Sequence, residues 1–426
     1  MINIGLIGLG NVGEAVYSIL QKNGSIISDR IGQEIAIKSI AVRSVEKHQD
    51  KIDSKINLTA DVMSVITDPE IDIVVEVMGG EHPALEYITT ALNNKKSVVT
   101  ANKEVIAKHK RTFFKLAKEN GVDIFFEAAV GGGIPIIRSL KVGFAANKIN
   151  LLNGILNGTT NYILTKIEQE KQDFSIILKK AQELGLAEAD PTMDVSGLDA
   201  AYKLVILAAV AFKLDIQLED IFYEGIESVT LSDINYAKQL GYKIKLIANG
   251  VRINDKQFSF AVHPTCIPES HPLASVDNEF NATYVVGNYV GESMLLGKGA
   301  GGSPTGSAVV SDIIDICFDH TKNVSYRNLE LTFQDATILP FEQTEHSYYL
   351  RIIVDDKPGV LEKISIVFSR EKLSIDRIVQ NTVSDNKAEI ILMTKQVIEK
   401  EFNRIEERLN EIEELNHIAS KIRVAH

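Results

Sequence analysis

The residues best suited to chemistry lie in 187-AEADPTMDVSGLDAAYKL-204, which holds Glu188, Asp190, Asp194 and Asp199 and then a single amine, Lys203. Asp199 and Lys203 are four apart and share one face of a helix. The apolar run 204-LVILAAVA-211 buries that helix within a turn. Pro191 and Gly197 interrupt the stretch before it, so Glu188, Asp190 and Asp194 sit on an irregular loop from which carboxylates can converge. Acids beside one amine suit a small zwitterionic substrate: carboxylates take an ammonium group, and the lysine serves a hydroxyl or carbonyl oxygen. A lysine that moves protons near neutrality needs burial or a second cation such as Lys103 beside it, and Asp199 would fix its geometry. A capped helix start with exposed acids accounts for the same residues more plainly.

A second chemical feature opens the chain. Gly8-Leu9-Gly10-Asn11-Val12-Gly13 is G-x-G-x-x-G, placed between the apolar run 2-INIGLIG-8 and a helix from about Val12 to Gln21. In that context the first glycine permits a tight turn, the second lets a pyrophosphate approach, and the third lets helix and strand pack. Gly8, Gly10, Asn11, Val12 and Gly13 are therefore cofactor-binding candidates, with the anion on the helix N-terminus. The second strand, 35-IAIKSIAVR-43, ends in Arg43 with Lys47 and His48 close behind and Glu46 as the one acid. A base there suits the 2′-phosphate of NADP and an acid the ribose of NAD, so NADP is favoured, although a solvated charged loop also fits.

The elements that must position these groups alternate. Strands at 72-DIVVEVMG-79, 97-SVVTAN-102 and 122-VDIFFEAAV-130, with a helix from about Glu104 to Asn120, predict a doubly wound parallel sheet. Ligands of such sheets lie beyond the carboxyl ends of the strands, where Thr100 and Lys103 fall. From Gly131 the texture changes to a glycine turn, 131-GGGIPII-137. A strand then turns at Gly158 into a helix, and helices follow to about Leu218. The segment 157-NGTTNYIL-164 is a good capping sequence, and Thr159 in it is also a substrate-pocket candidate. Strands return at 257–267 and 283–297. A turn, 297-GKGAGGSPTG-306, then opens the helix 307–317; it lacks the spacing and the Ser or Thr of a phosphate-binding Walker loop. Residues 318–346 lack periodicity and read as a linker. The remainder reads βαββαβ: a strand at 348–354, a helix and strand within 355–375, a strand at 389–394, a helix from about Ile398 to Glu414, and a strand at 417–425.

Composition sets limits. The 426 residues have a net charge of -12, which opposes binding to nucleic acid phosphates. Two cysteines, Cys266 and Cys317, imply no disulfide framework. The start reads as a strand rather than a leader, and no run is long enough to span a bilayer, so no membrane partner and a cytoplasmic location are expected. The spacing of His263, Cys266 and His271 matches no zinc pattern.

Taken together, GLGNVG, TANK, EAAVGGGIPII, NGTTNYIL, AEADPTMDVSGLDAAYKL and GKGAGG occur in an order that resembles the homoserine dehydrogenases. The segment 355-DDKPGVLEKIS-365 resembles an ACT domain, an amino-acid-sensing module. The resemblance covers nearly the whole chain outside the linker. It implies an α/β protein: a Rossmann-type doubly wound sheet over 1–130, an α+β catalytic and dimerisation domain over 131–320 whose last helix returns to the first domain, a linker over 321–347, and a ferredoxin-like ACT domain over 348–426.

The activity implied is NAD(P)-dependent interconversion of L-homoserine and L-aspartate 4-semialdehyde, on the route to threonine, methionine and isoleucine. Lys203 would be the proton donor and acceptor, with Asp199 beside it and Lys103 as second catalytic lysine. Glu188 would take the substrate amine, and Asp194 would line the same pocket. Cofactor contacts would come from the Gly8–Gly13 turn, Arg43, Lys103 and the turn at Gly301 and Gly302. A sodium ion would be held by main-chain oxygens of Glu127, Val130, Gly132 and Ile134. Asn11 stands where the family commonly has Thr. The ACT domain suggests feedback by threonine, and the family suggests a homodimer or homotetramer.

Two other functions are open to the sequence. A semialdehyde dehydrogenase forming an acyl phosphate would need a nucleophilic cysteine. A regulator that senses nucleotide and amino acid would use the same domains without turnover.

Overall fold

The computed structural model describes residues 1–322, 333–384 and 386–425. It divides into two compact units: Met1–Ile149, Tyr202–Leu218 and Asn281–Asp335 form one, and Asn150–Ala201, Glu219–Phe280 and Ala336–His426 the other. The division falls inside the helix Leu198–Phe212, so Asp199 belongs to the second unit and Lys203 to the first.

The first unit is built on strands β1 (Ile2–Ile7), β2 (Ile35–Ala41), β3 (Asn57–Thr59), β4 (Ile73–Glu76), β5 (Ser97–Thr100) and β6 (Ile124–Phe125). They pair in parallel in the order β3-β2-β1-β4-β5-β6. A parallel sheet covered on both faces needs continuous apolar strands, and Ile4, Leu6, Ile7, Ile73, Val74 and Val75 are all fully buried. The order reverses between β1 and β4, and crevices that hold ligands form at such switch points.

Three elements differ here from the sequence reading. The first helix runs Asn11–Ile31, because Gly24 does not stop it; it ends at Gly32, which takes the left-handed φ of 76°. The strand expected over 122–130 pairs only at Ile124–Phe125, because Glu127 donates its N–H to the Asp312 carboxylate and the chain turns into a 3-10 helix, Glu127–Ala129. The strand expected over 283–297 is two, Phe280–Gly287 and Gly291–Lys298, reversing at Gly291 with φ 69°.

The helix Gly302–Lys322 packs on Asn11–Ile31 at unusually close range. A Cβ on Gly302 would lie 2.7 Å from Asn11 O, and one on Gly306 would lie 2.7 Å from Ala15 Cβ. Two glycines four apart thus clear one face of the helix for the other backbone. Elsewhere in this unit Lys110 is 1% exposed on helix Lys103–Asn120. Its Nζ donates to Ala107 O at 2.9 Å and Ile216 O at 2.7 Å and pairs with Asp215 Oδ1 at 3.3 Å. This tethers the helix that begins at Lys103 to the segment that follows the helix carrying Lys203.

The second unit centres on a sheet that runs Ile149–Ile155, Tyr242–Arg252, Gln257–Pro268, Leu415–Val424, Glu345–Asp355, Lys387–Thr394, Ile375–Ser384. The sequence reading left Tyr242–Arg252 unassigned, because Lys243 and Lys245 interrupt its apolar pattern. Lys245 is nevertheless 2% exposed, with Nζ donating to Asn161 Oδ1 (3.0 Å), Val276 O (2.6 Å) and Asp277 Oδ1 (3.1 Å). The last four strands are antiparallel and, with helices Val360–Arg370 and Glu399–Asn410, make the βαββαβ module. That module continues the rest of the sheet through parallel pairs Thr265–Arg423 and Cys266–Val424, and Ala425 N donates to Cys266 O at 2.9 Å. Of the expected linker, residues 323–332 lie outside the described residues. Thr337–Ile338 pairs with Gln257–Phe258, and the Phe341 ring stacks on Phe222 at 3.9 Å.

Beside this seam Arg423 is 3% exposed and is held by Glu399 (2.9 Å) and Glu224 (2.8 Å). Burial, reinforced by the Arg423 charge, lowers the His346 imidazole to about 4, and burial holds His263 well below the ordinary histidine value. Both are neutral in the fold where the unfolded chain would charge them. The stability these two residues contribute is therefore full above pH 6.5 and is lost as pH falls from 6.5 through about 4. Measured against His346→Phe, the wild-type melting temperature should lose ground as pH falls across that window.

Candidate functional site

In the first unit the glycine turn is fixed by its own backbone. Gly8 N donates to Ala41 O at 2.9 Å, which sets the turn beside the end of β2 and the exposed Arg43 that follows. Gly8 takes φ 99°, and a Cβ on Gly13 would lie 2.3 Å from Gly8 O. Both must be glycine to close the turn. A Cβ on Gly10, however, would meet nothing within 4 Å. The fold's packing does not require that glycine, and the open space stands where a pyrophosphate would lie. Gly10 is also the N-cap of Asn11–Ile31 and gives it no side-chain cap, leaving N–H groups for an anion. The turn fits a dinucleotide.

Beyond β4 and β5 a buried network places Lys103. Thr100 Oγ1 donates to Glu76 Oε2 at 2.6 Å and accepts from Asn102 N at 3.0 Å. Asn102 Oδ1 caps the helix by accepting from Val105 N at 3.2 Å, and its Nδ2 donates to Gly80 O at 2.6 Å. Lys103, half-buried, is the first residue of the helix so capped. Thr100 is completely buried beneath this network. Burial raises the Glu76 carboxyl above its ordinary range despite these hydrogen bonds. The sequence reading missed Glu76; its signal is one acid inside the apolar strand 72-DIVVEVMG-79.

The turn after β6 is stapled by a second buried carboxyl. Glu127 accepts from Ile137 N at 2.8 Å and Arg138 N at 2.7 Å, and burial raises it to about 7. Burial and the neighbouring Glu127 raise Asp312 as well. Gly131 and Gly132 then reverse the chain with φ 73° and 54°. Glu127 O accepts from Val130 N at 3.3 Å and Ile134 O from Ile136 N at 2.8 Å. Each of these two carbonyls retains a second lone pair. Gly132 also abuts the third glycine turn: its Cβ would lie 2.6 Å from Gly299 O, and Gly133 N donates to Lys298 O at 3.1 Å. Gly301 and Gly302 close that turn over Asn11.

In the second unit the acids of the opening stretch part company. Asp194 and Asp199 are brought together by a residue the sequence reading treated only as part of a capping segment, Asn157. Its Nδ2 donates to Asp194 Oδ1 at 2.7 Å and Asp199 Oδ2 at 2.8 Å. Its Oδ1 accepts from Thr160 N at 2.8 Å and Thr160 Oγ1 at 3.0 Å, which caps the helix Gly158–Glu170. One amide thus uses both donors and both lone pairs. Asp199 is 3% exposed and Asp194 half-buried. Glu188 and Asp190 are exposed and lie outside this fork: Glu188 O accepts from Gln182 Nε2, and Asp190 caps its own turn through Thr192. Thr159 Oγ1 donates to Leu186 O at 2.7 Å, so its hydroxyl already holds the loop that bears Glu188.

Burial pushes the Cys317 thiol up to about 12 and that of Cys266 higher still. Neither is the thiolate that acyl-phosphate chemistry needs. Among the described residues no three His, Cys, Asp or Glu side chains form a metal site, and no helix is long and apolar enough to cross a membrane.

Asn157→Ala removes a helix cap and both donors to the paired carboxylates. It should lower the unfolding free energy by about 2–4 kcal/mol in urea melts. Asn157→Asp keeps the cap but adds a third carboxylate, so its penalty should grow as pH rises through the carboxylate range.

Three family comparisons cover this architecture. Residues 8–127 match "Homoserine dehydrogenase, NAD binding domain", residues 135–314 match "Homoserine dehydrogenase", and residues 348–414 match "ACT domain". The homoserine dehydrogenase of Bacillus subtilis is 41% identical over 99% of this chain and 98% of its own length. That of Pseudomonas aeruginosa is likewise 41% identical, over 99% and 98%. A crystal structure of a homoserine dehydrogenase from Thiobacillus denitrificans superposes with a TM-score of 0.94 at 42% identity, covering 100% of this chain and 98% of that one. A hyperthermophilic archaeal homoserine dehydrogenase in complex with NADPH superposes with a TM-score of 0.65 at 29% identity, covering 76% and 99%. With its nicotinamide-nucleotide-binding domain, catalytic domain and ACT domain, the chain belongs to the homoserine dehydrogenase family of oxidoreductases.

Proposed function

We propose that this chain interconverts L-homoserine and L-aspartate 4-semialdehyde, prefers NADP to NAD, and serves the route to threonine, methionine and isoleucine. The observation that carries the reading is the Asn157 fork. It holds Asp194 and the buried Asp199 in place, with Lys203 one turn further along the helix that bears Asp199. Lys203 Nζ carries the proton to and from the substrate oxygen, and Asp199 orients it. Lys103, fixed at the start of its capped helix, is the second catalytic lysine. Glu188 and Asp194 take the substrate amine, with Thr159 lining the pocket. The bound nicotinamide nucleotide supplies the hydride. Gly8, Gly10, Asn11, Val12, Gly13, Gly301 and Gly302 line its site, the buried Thr100 supports it from beneath the Lys103 cap, and Arg43 is the residue that would meet a 2′-phosphate. A sodium ion held by the main-chain oxygens of Glu127, Val130, Gly132 and Ile134 would stiffen the turn that abuts Gly299.

Residues 1–130, 131–320 and 348–426 are the nucleotide, catalytic and regulatory domains of this reading, joined by 321–347, and the enzyme works in the cytoplasm. Threonine is the effector proposed for the ACT domain. Pairing of that domain into a homodimer or homotetramer is supported by the edge strand Ile375–Ser384, on which Ile378 and Val383 are 42% and 57% exposed.

The test follows nicotinamide absorbance with L-aspartate 4-semialdehyde. Lys203→Ala should lose roughly 10²–10⁴-fold in kcat while still binding NADPH; turnover at the native rate would sink the assignment. Arg43→Ala should raise KM for NADPH and leave KM for NADH alone. Added L-threonine should inhibit.

A further inference from the structure

Asn281 is 1% exposed, and neither its Nδ2 nor its Oδ1 has a hydrogen-bond partner among the described residues. A buried side-chain amide is nearly always paired, because each unmet group forfeits its hydration without return. Asn157, Asn102 and Asn161 in this chain all meet that rule. Asn281 breaks it at one particular place. A Cβ on Gly299 would fall 2.0 Å from both Cγ and Nδ2 of Asn281, so the amide lies directly against the Gly299 backbone. Gly299 also abuts Gly132, whose own Cβ would fall 2.6 Å from the Gly299 carbonyl carbon. The same turn continues through Gly301, at φ 111°, to Gly302, whose Cβ would fall 2.7 Å from the carbonyl oxygen of Asn11 in the first glycine turn. The unmatched amide therefore underlies the short backbone segment that adjoins the dinucleotide turn. Glycines on both sides of Ala300 leave the peptide groups of that segment free to rotate.

We infer that Asn281 is a positioning residue for coenzyme binding, the latch of the Lys298–Gly302 turn. Its amide is unmatched in the turn geometry seen here and becomes matched by peptide N–H and C=O groups of the turn when the turn closes on a nicotinamide dinucleotide. Binding energy of the coenzyme is thereby coupled to satisfaction of a buried amide. For the fold alone an apolar side chain would serve better at this position. The inference rests on the reading that the chain binds such a dinucleotide.

The two roles predict opposite signs. Asn281→Leu copies the branching of the side chain without the polar atoms. The melting temperature of the full-length enzyme without coenzyme should rise by about 2–4 °C, while the Kd for NADPH, from fluorescence titration, should rise about ten-fold. Because leucine is bulkier, Asn281→Ala is measured alongside. It adds no bulk, and the increase in melting temperature on adding NADPH should shrink relative to wild type. Native NADPH affinity in both variants would overturn the inference, as would a lower melting temperature in both with an unchanged NADPH-induced increase, which marks a purely structural residue. Failure of the wild-type enzyme to bind NADPH or NADH at all would remove the dinucleotide reading, and the inference with it. Binding by wild type with no effect of either substitution removes the inference alone.

Discussion

Burying ionisable side chains is the constraint that the rest of this fold answers. Glu76, Glu127, Asp199, Asp312, Lys110, Lys245 and Arg423 are all almost fully buried. Each forfeits hydration that only well-directed partners can replace. The partners are mostly main-chain groups at the ends of elements. Glu127 takes two N–H groups at the start of a short helix, Lys110 and Lys245 take carbonyl oxygens, and Asp199 takes the spare donor of a capping asparagine. Buried charge is thus spent on fixing where helices begin and how turns approach. Those are the places from which a nicotinamide enzyme must present groups to its ligands.

The same economy explains what the sequence could reveal. The glycine motif was legible because its requirement is local: Gly8 and Gly13 are confined by backbone atoms a few residues away or on a neighbouring strand. The parallel sheet was legible because strands covered on both faces carry unbroken apolar runs. The Asn157 fork was not legible, since NGTTNYIL is already a complete cap and nothing local says that the spare amide reaches residues 194 and 199. The strand Tyr242–Arg252 was hidden by a lysine whose partners, Asn161 and Asp277, are remote in sequence. The strand over 122–130 was overestimated because a carboxylate on a helix far along the chain claims the N–H that would have extended the ladder.

Among the sequence-derived site residues, the structure separates roles that the motif alone merged. Asp194 and Asp199 share one amide, Thr100 is a buried support beneath the cap that begins the Lys103 helix, and Thr159 ties its hydroxyl to Leu186 O. Glu188 remains at the surface on a loop whose main chain, not its carboxylate, is held. Spacing along the chain does not distinguish these roles, whereas the hydrogen bonds each side chain already makes do.

The parallel pairing of Thr265 and Cys266 with Arg423 and Val424 has a consequence for the birth of the molecule. The strand Gln257–Pro268 leaves the ribosome long before its neighbour Leu415–Val424 exists. The stretch of its edge at Thr265 and Cys266 must therefore wait without its final partner. Contacts of such separation close late and slowly, and an open strand edge invites the wrong companion meanwhile. The ACT domain is then the piece that seals the sheet. A nascent chain stalled before residue 415 would be expected to cling to chaperones or to its own kind, whatever its nucleotide domain has already achieved.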